Sequence, residues 1–171
     1  ELVCLASEQS GINEALFGEV DEKVKSLPLF GISKKIYKGE IFPPESDDFV
    51  SDDNLINYQA KIIKEVAAEE SCVIIGRSAD FILKDNPDVV RLFFYAPKED
   101  CIARVKTQNG GTEKEIIRKI EKTDKYRSDY YRYHTGKDWN DSRNYDFCLT
   151  TASMSYEKLV AVVKAYIEQY K

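Results

Sequence analysis

Arg118, Asp124 and Arg127 stand in the most basic stretch of the chain, and their types and spacing suit chemistry on a phosphate-bearing anion. Between Arg104 and Lys137 there are ten Lys and Arg against five Asp and Glu, a local balance of +5 in a chain whose total is −5. The remainder therefore carries −10. Such a contrast draws anionic ligands to one segment while the overall charge keeps the protein dispersed. Asp124 and Arg127, three apart, are neighbours on a helix and can form an ion pair. A guanidinium held by a carboxylate presents a fixed fork, which suits a transferring phosphoryl group better than a mobile lysine does. Arg118 and Arg127 lie about 180° apart on a straight helix, so they share one site only if that helix bends or breaks. The plainer alternative is a solvated helix face.

The element that must position these residues is helical. Thr112 followed three residues later by Glu115 is a capping-box pair, Ile116, Ile117 and Ile120 keep helical spacing, and Gly136 offers a stop. The pattern predicts about six turns within Thr112–Trp139. Asn109-Gly110-Gly111 on one side and Gly136 on the other would let the helix between them move, from about Gly110 to Trp139, within a lid expected over 104–139. Tyr130, Tyr131 and Trp139 are expected to pack the lid rather than stack on a base.

Composition bounds the rest. At 171 residues, 43% hydrophobic and 32% charged, the chain is long enough for one ordinary core, and a single α/β domain over 1–171 is expected. No apolar run approaches the roughly 18 residues that span a bilayer, and the first residues lack a signal peptide's basic start, so a soluble cytoplasmic protein with no membrane contact is expected. An acidic chain with pI near 5.1 also argues against nucleic acid as a partner. Cys4, Cys72, Cys101 and Cys148 show no C-x-x-C spacing; Cys72 and Cys148 lie in strand-like apolar runs and are expected to be buried, reduced thiols. A single histidine, His134, excludes a His-rich metal site. Oligomeric state is not legible.

Taken in order, residues 1–9 show a helical face (Leu2, Val3, Leu5, Ala6), and Asn13–Val24 reads as a short helix ended by Pro28. Residues 28–53 read as an irregular, mobile surface excursion, and residues 1–53 hold twelve acidic and five basic side chains. Ser51, Asp52 or Asp53 caps a helix running through Leu55, Tyr58, Ile62, Ile63 and Val66 to about Glu70. Cys72–Gly76, Val89–Ala96 and Tyr145–Thr151 read as strands of a parallel sheet, buried on both faces. Arg77 then sits at a strand's carboxyl end, where open α/β sheets place their ligands. Ala79–Leu83 and Lys98–Gln108 read as helices. Ser155 caps a last helix with a core-facing stripe of Leu159, Val160, Val163, Ile167 and Tyr170. Strands alternating with helices give a layered parallel α/β fold.

With Val73-Ile-Ile-Gly-Arg-Ser-Ala-Asp80, Phe94-Tyr-Ala-Pro97, Asp124-Lys-Tyr-Arg-Ser-Asp-Tyr-Tyr131, Thr135-Gly-Lys-Asp-Trp139 and Asn144-Tyr-Asp146 in this order, the chain resembles the cytidylate-kinase-like family of P-loop nucleoside monophosphate kinases over nearly its whole length. The resemblance implies a three-layer P-loop NTPase fold with a parallel sheet and a helical lid, the excursion at 28–53 lying on the monophosphate side. It implies phosphoryl transfer from ATP, with Mg²⁺, to a CMP-like nucleoside monophosphate. Gln59, Arg77 and Asp80 match monophosphate-binding positions, while Arg104, Arg118, Asp124 and Arg127 match lid residues around the ATP phosphates. Arg77 could instead pair with a structural carboxylate such as Asp80, and Gln59 could be an ordinary exposed helix residue.

The sequence departs from the family pattern in three places. No G-x-x-x-x-G-K-[ST] loop occurs in the 171 residues, although that loop and the strand before it define the P-loop fold. Cys101 stands where relatives often carry an arginine, and Thr150 where an Asn or Asp is usual. The expectation is that the first strand, loop and helix precede Glu1 in a longer protein. The other readings are a catalytically inactive nucleotide-binding module and a protein-interaction domain that uses the Tyr-rich segment 126–133.

Overall fold

A computed structural model of the chain describes residues 2–17, 40–152 and 154–170. In chain order the elements are α1 (Leu2–Ser10), α2 (Asp52–Glu69), α3 (Ala79–Ile82), β1 (Leu92–Tyr95), α4 (Lys98–Asn109), α5 (Glu113–Thr135), a 3-10 turn (Ser142–Asn144), β2 (Phe147–Thr150) and α6 (Tyr156–Tyr170). They group into two units, Glu1–Asp85 with Tyr126–Trp139, and Asn86–Lys125 with Asn140–Lys171.

In the first unit, Ser51 is the cap that its type predicts: its hydroxyl accepts a hydrogen bond from the Asn54 amide, and Asp52 and Asp53 place negative charge on the first turn of α2. Leu55, Tyr58 and Ile62 of α2 meet Ala6 of α1 together with Ile12 and Phe17, and Phe49 stands edge-on to Tyr58 with ring centres 6.3 Å apart. Burial of these apolar side chains is the main force holding α1 to α2. Of the predicted helix Asn13–Val24, residues 14–17 are helical, Asn13 is not, and residues 18–24 lie outside the described residues. The predicted excursion is described from residue 40, where it runs in turns. Buried Asn54 ties this stretch to α2: its amide donates to the carbonyls of Phe49 (2.7 Å) and Phe42 (3.3 Å), and its carbonyl accepts from the Phe42 amide (2.8 Å).

In the second unit, β1 and β2 pair in parallel, Leu92 opposite Phe147 through Tyr95 opposite Thr150. Arg91 and Asp146 lock the start of the pair, with the Arg91 amide and Nε donating to one carboxylate oxygen (2.8 and 3.0 Å) and a terminal guanidinium nitrogen donating to the other (2.5 Å). Helix α6 docks on the sheet through Tyr166, which stacks on Phe147 at 4.5 Å and donates its hydroxyl to the Asp146 carbonyl at 2.9 Å. Helix α5 opens with the predicted capping box: the Thr112 hydroxyl and amide both donate to the Glu115 carboxylate, at 2.7 and 2.9 Å. The joint before it needs its glycines, since Gly110 and Gly111 take φ of +65° and +101°.

The structure corrects three expectations. Cys72–Gly76 is not a strand: Val73 is 91% and Ile75 88% exposed, and no described segment pairs with it. An apolar run becomes a strand only when a neighbour supplies ladder hydrogen bonds, and here none of the described residues does. Cys72 is accordingly exposed rather than buried, as is Cys4, while Cys101 and Cys148 are half-buried; all four are free thiols. The stripe on α6 is buried only at Leu159, with Val160, Ile167 and Tyr170 exposed, because contact with the two-stranded sheet is made through Tyr166 instead. The result is a helix-rich α/β arrangement with a small parallel sheet. No helix among the described residues is long and apolar enough to cross a membrane.

Candidate functional site

Gly76, Arg77 and Ser78 follow one another with φ of +75°, +55° and +52°. The left-handed region is routine for glycine but unfavourable for arginine and serine, so this turn into α3 is held against local preference, a state that clusters at functional sites. Ser78 occupies the cap position of α3 yet makes no cap hydrogen bond. It is 6% exposed, and its hydroxyl has no hydrogen-bond partner among the described residues. Gln59, on α2, which packs against α3, is 3% exposed, and its amide nitrogen likewise has no partner among them. Asp80, in the first turn of α3, accepts a 2.6 Å hydrogen bond from the hydroxyl of buried Tyr131 on α5. The predicted monophosphate set of Gln59, Arg77 and Asp80 thus falls in one unit. Gln59 is not an ordinary exposed helix residue.

His134 lies one helical turn beyond Tyr131, 5% exposed, with the rings of Tyr130 and Tyr133 at 4.3 and 4.8 Å. Burial pushes its imidazole down to about 4, partly opposed by the charge of Asp53, so the ring is neutral at neutral pH. Its Nε2 has no hydrogen-bond partner among the described residues.

In the second unit, the Arg104 guanidinium donates to the Thr151 hydroxyl at 3.2 Å. Both line a cavity of about 350 Å³ with Asp100, Ala152, Ser155 and Tyr156. That volume falls within the roughly 300–1,000 Å³ typical of small-ligand pockets, and Arg104 shares the lining with two carboxylates, Asp100 and Glu157. The Thr150 hydroxyl is turned locally and accepts from the Ala152 amide at 3.2 Å. Among the described residues no three His, Cys, Asp or Glu side chains gather to hold a metal ion.

Arg118, Asp124 and Arg127 are all exposed on α5. That helix runs unbroken from Glu113 to Thr135, so its spacing keeps Arg118 and Arg127 on opposite faces, with Asp124 and Arg127 at neighbouring positions. Arg104, Arg118 and Asp124 group with the second unit and Arg127 with the first. Ser78, Tyr131 and His134 were not legible as site residues. Ser78 lay between two that were, and Tyr131 was expected to pack, which it does while also binding Asp80.

Residues 1–153 match the family described as the cytidylate kinase-like family. The chain is 29% identical over 107 residues to a protein of Corynebacterium glutamicum named uronate isomerase, a match covering 61% of this chain and 20% of that protein, so the chain spans about a fifth of that relative's length. It is also similar to a crystal structure of an uncharacterized protein from Eubacterium ventriosum, with a TM-score of 0.64 and 32% identity over 69% of this chain and 74% of the other.

Proposed function

The chain belongs to the cytidylate kinase-like family, and on that premise we propose that it binds a nucleoside monophosphate, CMP-like in its base, and takes part in moving a phosphoryl group to it from ATP. The observation that carries this reading is a pair of buried polar atoms without a partner among the described residues, Gln59 Nε2 on α2 and Ser78 Oγ in the strained turn into α3, the helix that α2 packs against, since buried polar atoms are normally satisfied and a bound anion would satisfy these. Arg77 anchors the acceptor phosphate. Asp80, oriented by Tyr131, accepts hydrogen bonds from the nucleoside. The cavity beside Arg104 receives part of the ATP, which supplies the phosphoryl group. Arg127, oriented by Asp124, neutralises charge on the moving group, while Arg118, on the opposite face of the unbroken α5, is left out of this site. Phosphoryl transfer asks little covalent chemistry of a protein, so positioning and charge stabilisation are what these residues contribute.

A second reading is an inactive nucleotide-binding module, in which the monophosphate is bound and no phosphoryl group moves. Full-length protein given ATP and a panel of CMP, UMP, AMP and GMP separates the two. ADP release with a pyrimidine monophosphate is the expected result. Monophosphate binding without turnover supports the module, and neither binding nor turnover overturns both readings.

A further inference from the structure

A serine just before a helix is favoured because its hydroxyl caps an open amide, and it does so from extended backbone. Ser78 does neither: its φ and ψ are 52° and 31°, and no cap bond forms. Its hydroxyl is buried without a partner among the described residues. Glycine there would relieve the left-handed backbone and remove a buried hydroxyl that no described residue satisfies, so among the described residues nothing explains a serine at this position. Such groups persist where a ligand satisfies them.

The neighbours define that ligand's chemistry. Arg77 precedes Ser78, and the amide nitrogen of Gln59 is a second buried atom without a partner among the described residues, on the helix packed against α3. A guanidinium and an amide NH₂ only donate hydrogen bonds, and a hydroxyl can donate one. Three donors call for an acceptor-rich, negatively charged group. We propose that Ser78 is an acceptor-binding residue whose hydroxyl donates to a phosphate oxygen of the bound monophosphate, beside Arg77 and with Gln59 as the third donor. This rests on the monophosphate site proposed above and adds to it a residue whose hydroxyl has no partner among the described residues.

The test uses full-length protein and the Ser78→Ala and Ser78→Gly variants. Without nucleotide, both variants should melt at or above the wild-type temperature; a fall of several degrees in Ser78→Ala would show that the hydroxyl has a structural partner and overturn the proposal. With CMP, both should bind about ten- to a hundredfold more weakly, the scale of one hydrogen bond to a charged group, with KM raised, kcat little changed and KM for ATP unaltered. Cytidine, which lacks the phosphate, should bind wild type and Ser78→Ala alike, and inorganic phosphate should follow CMP. Equal weakening of cytidine and CMP overturns the phosphate assignment. Wild-type binding of CMP with an unaffected Ser78→Ala variant removes Ser78 alone, whereas a wild type that binds no monophosphate removes the site reading itself and Ser78 with it.

Discussion

The hydroxyl of Tyr131, near the end of α5, donates a 2.6 Å hydrogen bond to Oδ2 of Asp80 in the first turn of α3, across 51 positions of sequence. It joins the Tyr-rich segment to the carboxylate that we assign to the acceptor nucleoside. Tyr131→Phe keeps the buried ring and removes this bond. It should lower stability by about 1–3 kcal/mol in urea denaturation, the range for hydrogen bonds to charged groups, and raise KM for the monophosphate. In a double-mutant cycle with Asp80→Asn the two effects should be strongly non-additive; simple additivity would mean that the bond carries nothing.

His134 makes stability pH-dependent with a definite sign. Its folded value of about 4 lies below the ordinary 6.5, because burial disfavours the charged ring. Below pH 6.5 the unfolded chain therefore binds more protons, and stability falls as pH drops from about 6.5 towards 4, by up to about 3 kcal/mol if this group acts alone. Melting curves of wild type and His134→Phe across that window check it. The variant should lose much of the slope, and parallel curves would count against a buried neutral histidine.

Arg91 and Asp146 form a partly buried clamp at the mouth of the β1–β2 pair. Hydrogen bonding from Arg91 holds the Asp146 carboxyl below the usual carboxylate range, so its contribution is present above about pH 4 and lost on further acidification. Arg91→Met should destabilise the protein by about 1–3 kcal/mol at pH 7 and remove that acid-sensitive component. Chemical denaturation at pH 7 and pH 3 reads both.

Arg127 is exposed on α5, where an ion pair contributes only about 0–1 kcal/mol to stability. Arg127→Ala should therefore barely shift Tm. If it reaches the transferred phosphoryl as proposed, kcat of the full-length enzyme should fall at least about a hundredfold, the scale of losing a preorganised charge stabiliser. Asp124→Asn should give a smaller rate loss. Near-normal kcat for Arg127→Ala in an active enzyme would return this face of α5 to solvent.

What the sequence by itself determined is what is decided within a turn or two of chain. Ser51 caps α2, Thr112 and Glu115 open α5, and α5 stops at Gly136, whose φ is +69°, because those hydrogen bonds and torsions involve residues at most four apart. The order of motifs around Arg77, Asp124 and Asn144 was legible for the same reason, and it pointed to the family that residues 1–153 match. Tertiary structure alone decided what depends on a distant neighbour. The apolar run Cys72–Gly76 has the composition of a strand, but strandhood belongs to a pair, and without a described partner Val73 and Ile75 stand in solvent. Helix α6 has several apolar positions, and which one meets the sheet was settled by Phe147 stacking on Tyr166. Gln59 and Ser78 are ordinary polar residues on paper. Only the packing of α2 against α3 turns them into buried atoms without a protein partner among the described residues, and a buried donor derives its meaning from what is left within hydrogen-bonding reach.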